Sequence, residues 1–396
     1  MNHSPEPFDL QMLQQRFTDE FGDNQIPPSV FHAPGRVNLI GEHTDYTGGI
    51  VFPCAIDRGN LLLIRRTNSD QYRFASTNFD FQTTLTADEL GQPKEDHWVN
   101  YPLGVIDQLK QRGAKLSGFD CLFAGNVPNG AGLSSSAAIE VVTAFALNEL
   151  FDLGIDRVSL AVLSQAAENE FVGMQCGIMD QFAVTMGKAN HAMMLNCSTL
   201  EYEYVPLVLN DHAIVLANTN QRRELAESAY NDRVAECKRA LGYLQTQMTV
   251  EALGEITESD LESAKASFGD DDVAYARARH IASENARVRS AVEALTNGDL
   301  PRFGELMQAS HASLRDDFAV SSEPLDTLVS LAIAQDGVLG ARLTGAGFGG
   351  CTVNLMHEDA VEQFQANVGA AYHSKTGLKA DFYVIKPSDG VMEHRL

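Results

Sequence analysis

Between Pro34 and Tyr46 the chain places Arg36, Asn38, Glu42, His43, Asp45 and Tyr46 within eleven residues, with Gly35, Gly41, Gly48 and Gly49 around them. A fold gains little from so many polar groups in one short run. A site for a polyhydroxylated ligand gains a great deal, because every hydroxyl both donates and accepts. Carboxylates accept from hydroxyls, an imidazole does either, and glycines let backbone approach a ligand closely. The plain alternative is a polar turn between two strands. The variety of chemically distinct side chains weighs against it.

Three further segments carry chemistry. Pro128 to Ala138 is a loop of small residues running into the apolar helix expected from Ser134 to Phe151. Exposed N–H groups, a helix dipole and hydroxyls suit an anion such as phosphate; the alternative is that the serines only cap a core helix. No G-x-x-x-x-G-K-[ST] occurs, which excludes a Walker-type site. In Cys176 to Phe182 a single acid, Asp180, stands among apolar residues. A buried acid needs a partner, although it could equally cap the next helix. Thr344 to Gly350 contains G-x-G-x-x-G, but strand-like Cys351 to Met356 follows instead of a helix. A dinucleotide site therefore fails on context, and a glycine turn between strands fits better.

In type and order these motifs resemble the galactokinase family, within the superfamily of homoserine, mevalonate and phosphomevalonate kinases. Asn218 to Asn220, Ala229 to Arg233 and the stretch from Ser310 to Asp326 extend the match over most of the chain. Ala346 stands where the family usually has the middle of three glycines. The resemblance implies transfer of the ATP γ-phosphoryl group to the C1 hydroxyl of α-D-galactose, a step of galactose catabolism by the Leloir pathway. It implies Asp180 as the catalytic acid group with Arg36 as partner. Glu42, His43, Asp45 and Tyr230 would read the sugar. Gly130, Ala131, Gly132, Leu133, Ser134, Ser135 and Ser136 would bind ATP. Mg²⁺ would be held by Ser135 and Glu168. Two alternatives remain: a kinase of a related sugar such as N-acetylgalactosamine or arabinose, and a non-catalytic sensor of sugar and ATP.

The elements that must position these residues follow from pattern. Strands are expected at 51–56, 61–64, 72–75, 119–124, 211–218, 340–344, 351–356 and 380–385. Helical periodicity marks 98–112, 158–171, 226–247, 272–296 and 301–313. Mixed order without strict strand–helix alternation argues for an α+β protein. A chain of 396 residues suggests two domains, drawn here as 1–205, with the sugar signature and phosphate loop, and 206–396, with the last glycine motif. The resemblance implies mixed sheets with packed helices and an active site between those domains.

Composition sets the outer limits. Fifty-three acids against 29 bases give a net charge of −24, which disfavours nucleic acid and anionic membrane surfaces as partners. An anionic substrate must then be held by local devices. The six cysteines show no metal spacing and read as reduced packing residues. The first seventeen residues lack a signal-peptide layout. A soluble cytoplasmic enzyme is expected, acting on small molecules without an obligate protein partner.

Overall fold

Leu61 to Ile64 is apolar without alternation, the pattern of a strand covered on both faces. The computed structural model, which describes residues 8–23, 26–95, 97–128, 131–221 and 226–394, places it so. In chain order the strands are β1 (Ser29–Asn38), β2 (Ile50–Val51), β3 (Pro53–Arg66), β4 (Tyr72–Ser76), β5 (Gln82–Leu85) and β6 (Phe119–Gly125). Then come β7 (His191–Asn196), β8 (Tyr202–Pro206), β9 (His212–Asn218), β10 (Val338–Thr344), β11 (Cys351–His357), β12 (Asp381–Ile385) and β13 (Met392–His394).

The first sheet has the order β13-β1-β3-β6-β4-β5. One of its faces packs Phe31, Leu62, Ile64, Phe74 and Phe123 against the helices Asn100–Gln111, Ser135–Leu150 and Arg157–Ala166. The other packs Val30, Leu61, Leu63 and Leu122 against Leu13, Phe17 and Phe21 of the helix Leu10–Phe21. The period of two in strand side chains sorts the leucines between the two cores. A second sheet, β10-β11-β9-β12, is wholly antiparallel, and β2-β7-β8 forms a third. Val37, Leu39, Phe52 and Leu133 share a single apolar core with Leu216, Val288, Phe303 and Val353. The early strands and the late sheet are therefore welded by burial. The last strand returns to pair with the first, Val30 opposite His394.

Mixed helices and sheets give the expected α+β class. Several boundaries match the sequence pattern for a local reason. The helix Asp272–Thr296 begins where Asp271 accepts from the Ala274 amide at 3.0 Å and ends before Gly298, at φ 72°. Others differ. The two strand-like stretches 51–56 and 61–64 are largely one strand, β3, because Gly59 lies extended within it. The helix expected over 158–171 is α-helical only to Ala166. It then widens into a π-helical turn, Ala167–Val172. The helices Leu10–Phe21, Glu323–Ile333 and Val361–Thr376 and the strands β7, β8 and β13 were not anticipated. Among the described residues no helix is long and apolar enough to cross a membrane.

Candidate active site

The β1–β3 register shifts between Pro34 and Arg36, where three residues of β3, Ile56 to Arg58, stand opposite the single Gly35. A Cβ on Gly35 would stand 2.6 Å from the Leu133 carbonyl oxygen, so glycine lets the small-residue loop lie against the strand. Arg36 fastens that loop: its amide donates to the Leu133 oxygen at 3.2 Å and Nη1 to the Gly132 oxygen at 2.7 Å. Its Nε and Nη2 both reach Oδ1 of Asp180, at 2.8 and 2.7 Å. Asp180 sits in the first turn of the helix Met179–Met186, and its side chain, 27% exposed, opens to a cavity rather than capping the helix. Its other oxygen accepts from the Ser134 hydroxyl at 2.6 Å. Ser134 holds a left-handed backbone, φ 60°, and makes no capping bond to the helix Ser135–Leu150. A non-glycine residue in that region stores strain, here used to turn a hydroxyl onto the carboxylate.

The first motif forms the opposite wall. Glu42 is buried, and its Oε1 accepts from the Gly345 amide at 2.6 Å and the Thr344 hydroxyl at 3.1 Å. Oε2 accepts from Asn38 at 3.0 Å. His43 has its Nδ1 2.9 Å from the Tyr46 hydroxyl and Nε2 3.3 Å from the Ala346 oxygen. Burial, with repulsion from His280, pushes its pKa down to about 3, so the ring is neutral. Both residues line the cavity, yet most of their polar capacity is already engaged. Asp45 is different. Burial, then the nearby Asp180 and Glu42 carboxylates, raise it to about 7. Gly177 packs against it so closely that a Cβ there would lie 2.1 Å from Oδ2. Tyr230, from the helix Ala226–Gln245, completes this wall, its ring centroid 5.8 Å from that of His43.

The third wall is acidic. Glu168, on the π-helical turn, lines the cavity together with Ser135 and Ser136. Its pKa is raised by burial and by Asp180, while hydrogen bonds from Cys176, Ser136 and Gln181 pull it back. Gln181 donates to Glu168 Oε2 at 2.6 Å and to the fully buried Glu140 at 2.9 Å. Among the described residues no group of three His, Cys, Asp or Glu could hold a metal ion by itself. A carboxylate beside hydroxyls fits Mg²⁺, which commonly takes one or two protein oxygens and completes its shell with water and phosphate.

One cavity of about 520 Å³ brings together Arg36, Glu42, His43, Asp45, Gly132, Leu133, Ser134, Ser135, Ser136, Glu168, Asp180 and Tyr230. Ala131 is not among its lining: its methyl is buried in the shared core and its amide donates to the Pro128 oxygen. Gly130 lies outside the described residues. The glycine turn joins β10 to β11 as expected and supplies Gly345 and Ala346 to the wall. Ala346 avoids positive φ, which is why alanine is accommodated there. Sequence reasoning missed Tyr101, Met174 and Met179 on the lining, and nothing in their local pattern marked them. It also missed an adjoining slot of about 190 Å³ walled by Phe79, Trp98, Phe123 and Ile139, which shares Tyr101, Ser135 and Ser136 with the main cavity.

Side chains on several elements, an acid clamped by an arginine and a loop leading into a helix thus converge on one cavity. The GHMP kinase N-terminal domain matches residues 100–188 and the GHMP kinase C-terminal domain residues 291–374. Methanococcus jannaschii mevalonate kinase shares the fold, with a TM-score of 0.65 at 19% identity, over 91% of this chain and 99% of that one. The galactokinase galactose-binding signature matches residues 15–66. Galactokinases of Clostridium acetobutylicum and Bacillus subtilis are 48% and 46% identical, each over 96% of this chain and 98% of its own length. The structure of Lactococcus lactis galactokinase complexed with galactose superposes with a TM-score of 0.95 at 42% identity, covering 98% of this chain and all of that one. The chain belongs to the galactokinase family.

Proposed function

We propose that this protein transfers the γ-phosphoryl group of ATP to the C1 hydroxyl of α-D-galactose, giving galactose 1-phosphate and ADP. The observation that carries the reading is Asp180, held on one oxygen by Arg36 and on the other by Ser134, and opening into a cavity with a polar wall. Asp180 orients the C1 hydroxyl and takes its proton as that oxygen attacks the γ-phosphorus and ADP leaves. Arg36 keeps the carboxylate in place and offsets charge on the transferred group. Asp45 and Tyr230 offer the freest polar atoms to the sugar, while Glu42 and His43 fix the shape of its wall.

The loop residues Gly132 to Ser136 cradle the ATP phosphates at the start of the helix Ser135–Leu150. The aromatic slot beside them suits a flat purine base. Ser135 and Glu168 would hold Mg²⁺, which when bound offsets the negative charge of the phosphates. Positioning and electrostatics dominate phosphoryl transfer, so these walls act together. We propose a division of the chain at 205/206. Six free cysteines suit a reducing, cytoplasmic compartment. The reaction needs only small-molecule substrates.

ADP release measured with galactose, N-acetylgalactosamine, arabinose and glucose tests the reading. Galactose should give the highest kcat/KM. A higher value for another sugar makes the protein a kinase of that sugar. No ADP with any of them leaves a sensor.

A further inference from the structure

The helix Asp272–Thr296 carries Arg277, His280, Glu284 and Asn285 on its buried face, where a core-facing helix normally presents apolar residues. Three of them act on one short segment. Glu284 Oε1 accepts from the Gly41 amide at 2.9 Å and the Glu42 amide at 3.4 Å. One turn away, His280 Nε2 lies 3.0 Å from the Glu42 carbonyl oxygen. Asn285 accepts from the Ile50 amide at 2.8 Å, closing the far end of the loop. Both backbone polar groups of Glu42 are thus held by a single helix from the other half of the chain.

The segment so held is a costly one. Gly41 has φ 96° and His43 φ 61°, a left-handed conformation that a histidine adopts at the expense of strain. Such a turn persists only when its surroundings over-determine it. Glu284 is itself costly, since a fully buried carboxylate loses its hydration. Ser310 donates to it at 2.5 Å and Arg287 reaches it at 2.6 Å. Burial pushes this carboxyl up, but Arg287, His280 and Arg342 outweigh that and leave it at about 2. Its Oε1 is directed at the turn.

We infer that Glu284, seconded by His280, is a positioning residue that holds the strained Gly41–His43 turn and thereby sets affinity for galactose without touching the sugar. The inference rests on the proposed sugar wall. The phosphate side has separate fastenings, Arg36 to Gly132 and Asn60 to the Ser135 carbonyl at 3.1 Å. A defect at Glu284 is therefore confined to one substrate.

The experiment measures galactose and ATP KM in Glu284→Met, Glu284→Gln, Ser310→Ala and Asp45→Asn. Glu284→Met, which removes the acceptor at similar volume, should raise galactose KM about tenfold or more, as expected for loss of a buried charged partner, with ATP KM unmoved. Glu284→Gln keeps an acceptor oxygen and should restore most of the affinity. Ser310→Ala, a milder change that decides the matter if Glu284→Met does not fold, should raise galactose KM roughly threefold. If Asp45→Asn raises galactose KM while Ser310→Ala and any folded Glu284→Met do not, or while they move both substrates together, the inference is overturned. If Asp45→Asn leaves galactose KM unchanged, the sugar wall itself is misassigned.

Discussion

Residues 39–46 on one side of the cavity are held by buried side chains, whereas 131–136 on the other are held mainly through backbone carbonyls. In the first, Glu42 is bonded by Asn38, Thr344 and Gly345, and the Thr44 hydroxyl donates to Gly41 and Ile50 at 2.9 and 2.8 Å. In the second, Gly132, Leu133 and Ser135 give their carbonyls to Arg36 and Asn60. Sugar hydroxyls point in several directions and are told apart only by side chains fixed at definite angles. A phosphate group is recognised by a positive field and by amides, which the first turn of a helix has without intrahelical acceptors. The wall proposed for the sugar is accordingly made of side chains locked in a core, and the wall proposed for phosphate of small residues.

Asp180 stands where the two walls meet, and its loss should have the largest effect. Asp180→Asn removes the proton acceptor while preserving shape, so kcat should fall by about 10²–10⁴, the range of general-base contributions. Calorimetric binding of galactose and of ATP should persist. A variant with near-normal kcat would remove Asp180 from the chemistry and leave the walls as positioning devices only.

A crossed pair of variants separates the walls themselves. Asp45→Asn should raise galactose KM roughly tenfold and leave the Mg²⁺ requirement unchanged; Glu168→Gln should do the reverse in a metal titration at fixed ATP. Parallel defects in both would mean that the walls are not independent. Asp45 adds a pH signature. Its native pKa near 7 exceeds the unfolded value of about 4, so the folded protein keeps a proton there that the unfolded chain releases. The stability this lends is complete below about pH 4 and is lost as pH rises through 7. Asp45→Asn, uncharged throughout, should therefore gain in Tm over the parent between pH 5 and 8. Galactose KM of the parent should improve over the same range as the carboxylate forms. A Tm difference independent of pH would refute the assignment.

The smallest expected change concerns the seam. Ser134→Gly relieves the left-handed strain but deletes the hydroxyl on Asp180. A few-fold loss of kcat with unchanged or slightly raised Tm is expected, given about 1 kcal/mol for one hydrogen bond. A kcat equal to the parent's would make the hydroxyl a bystander.

Much of this is legible in the sequence. The first motif, the small-residue loop and the glycine turn are contiguous, and the chemistry of a contiguous motif survives in the order of its residues. The same holds for helix ends: Asp271 and Gly298 mark the helix 272–296 through bonds made to near neighbours. Strand β13 is not marked by the sequence because its partner β1 lies at the other end of the chain, whereas β7 and β8 form a short local hairpin of which only β7 also pairs with the distant β2. The π-helical turn that carries Glu168 has the sequence pattern of plain helix, since one extra residue in a turn leaves the apolar period almost intact.

By itself the sequence determined which groups are available, in which local frames, and hence the family and the kind of ligand. Only the tertiary structure decided which of them are free to act. It set Arg36 against Asp180 across 144 residues, turned Ser134 from a helix cap into a partner of that acid, and occupied Glu42 and His43 with the fold while leaving Asp45 near neutrality. It also gave a helix of the second half, through Glu284, hold of a turn in the first. The physical reason is range. Hydrogen-bond capacity belongs to a residue, but whether that capacity is already used, and what burial does to its charge, depends on neighbours that the chain brings together only by folding.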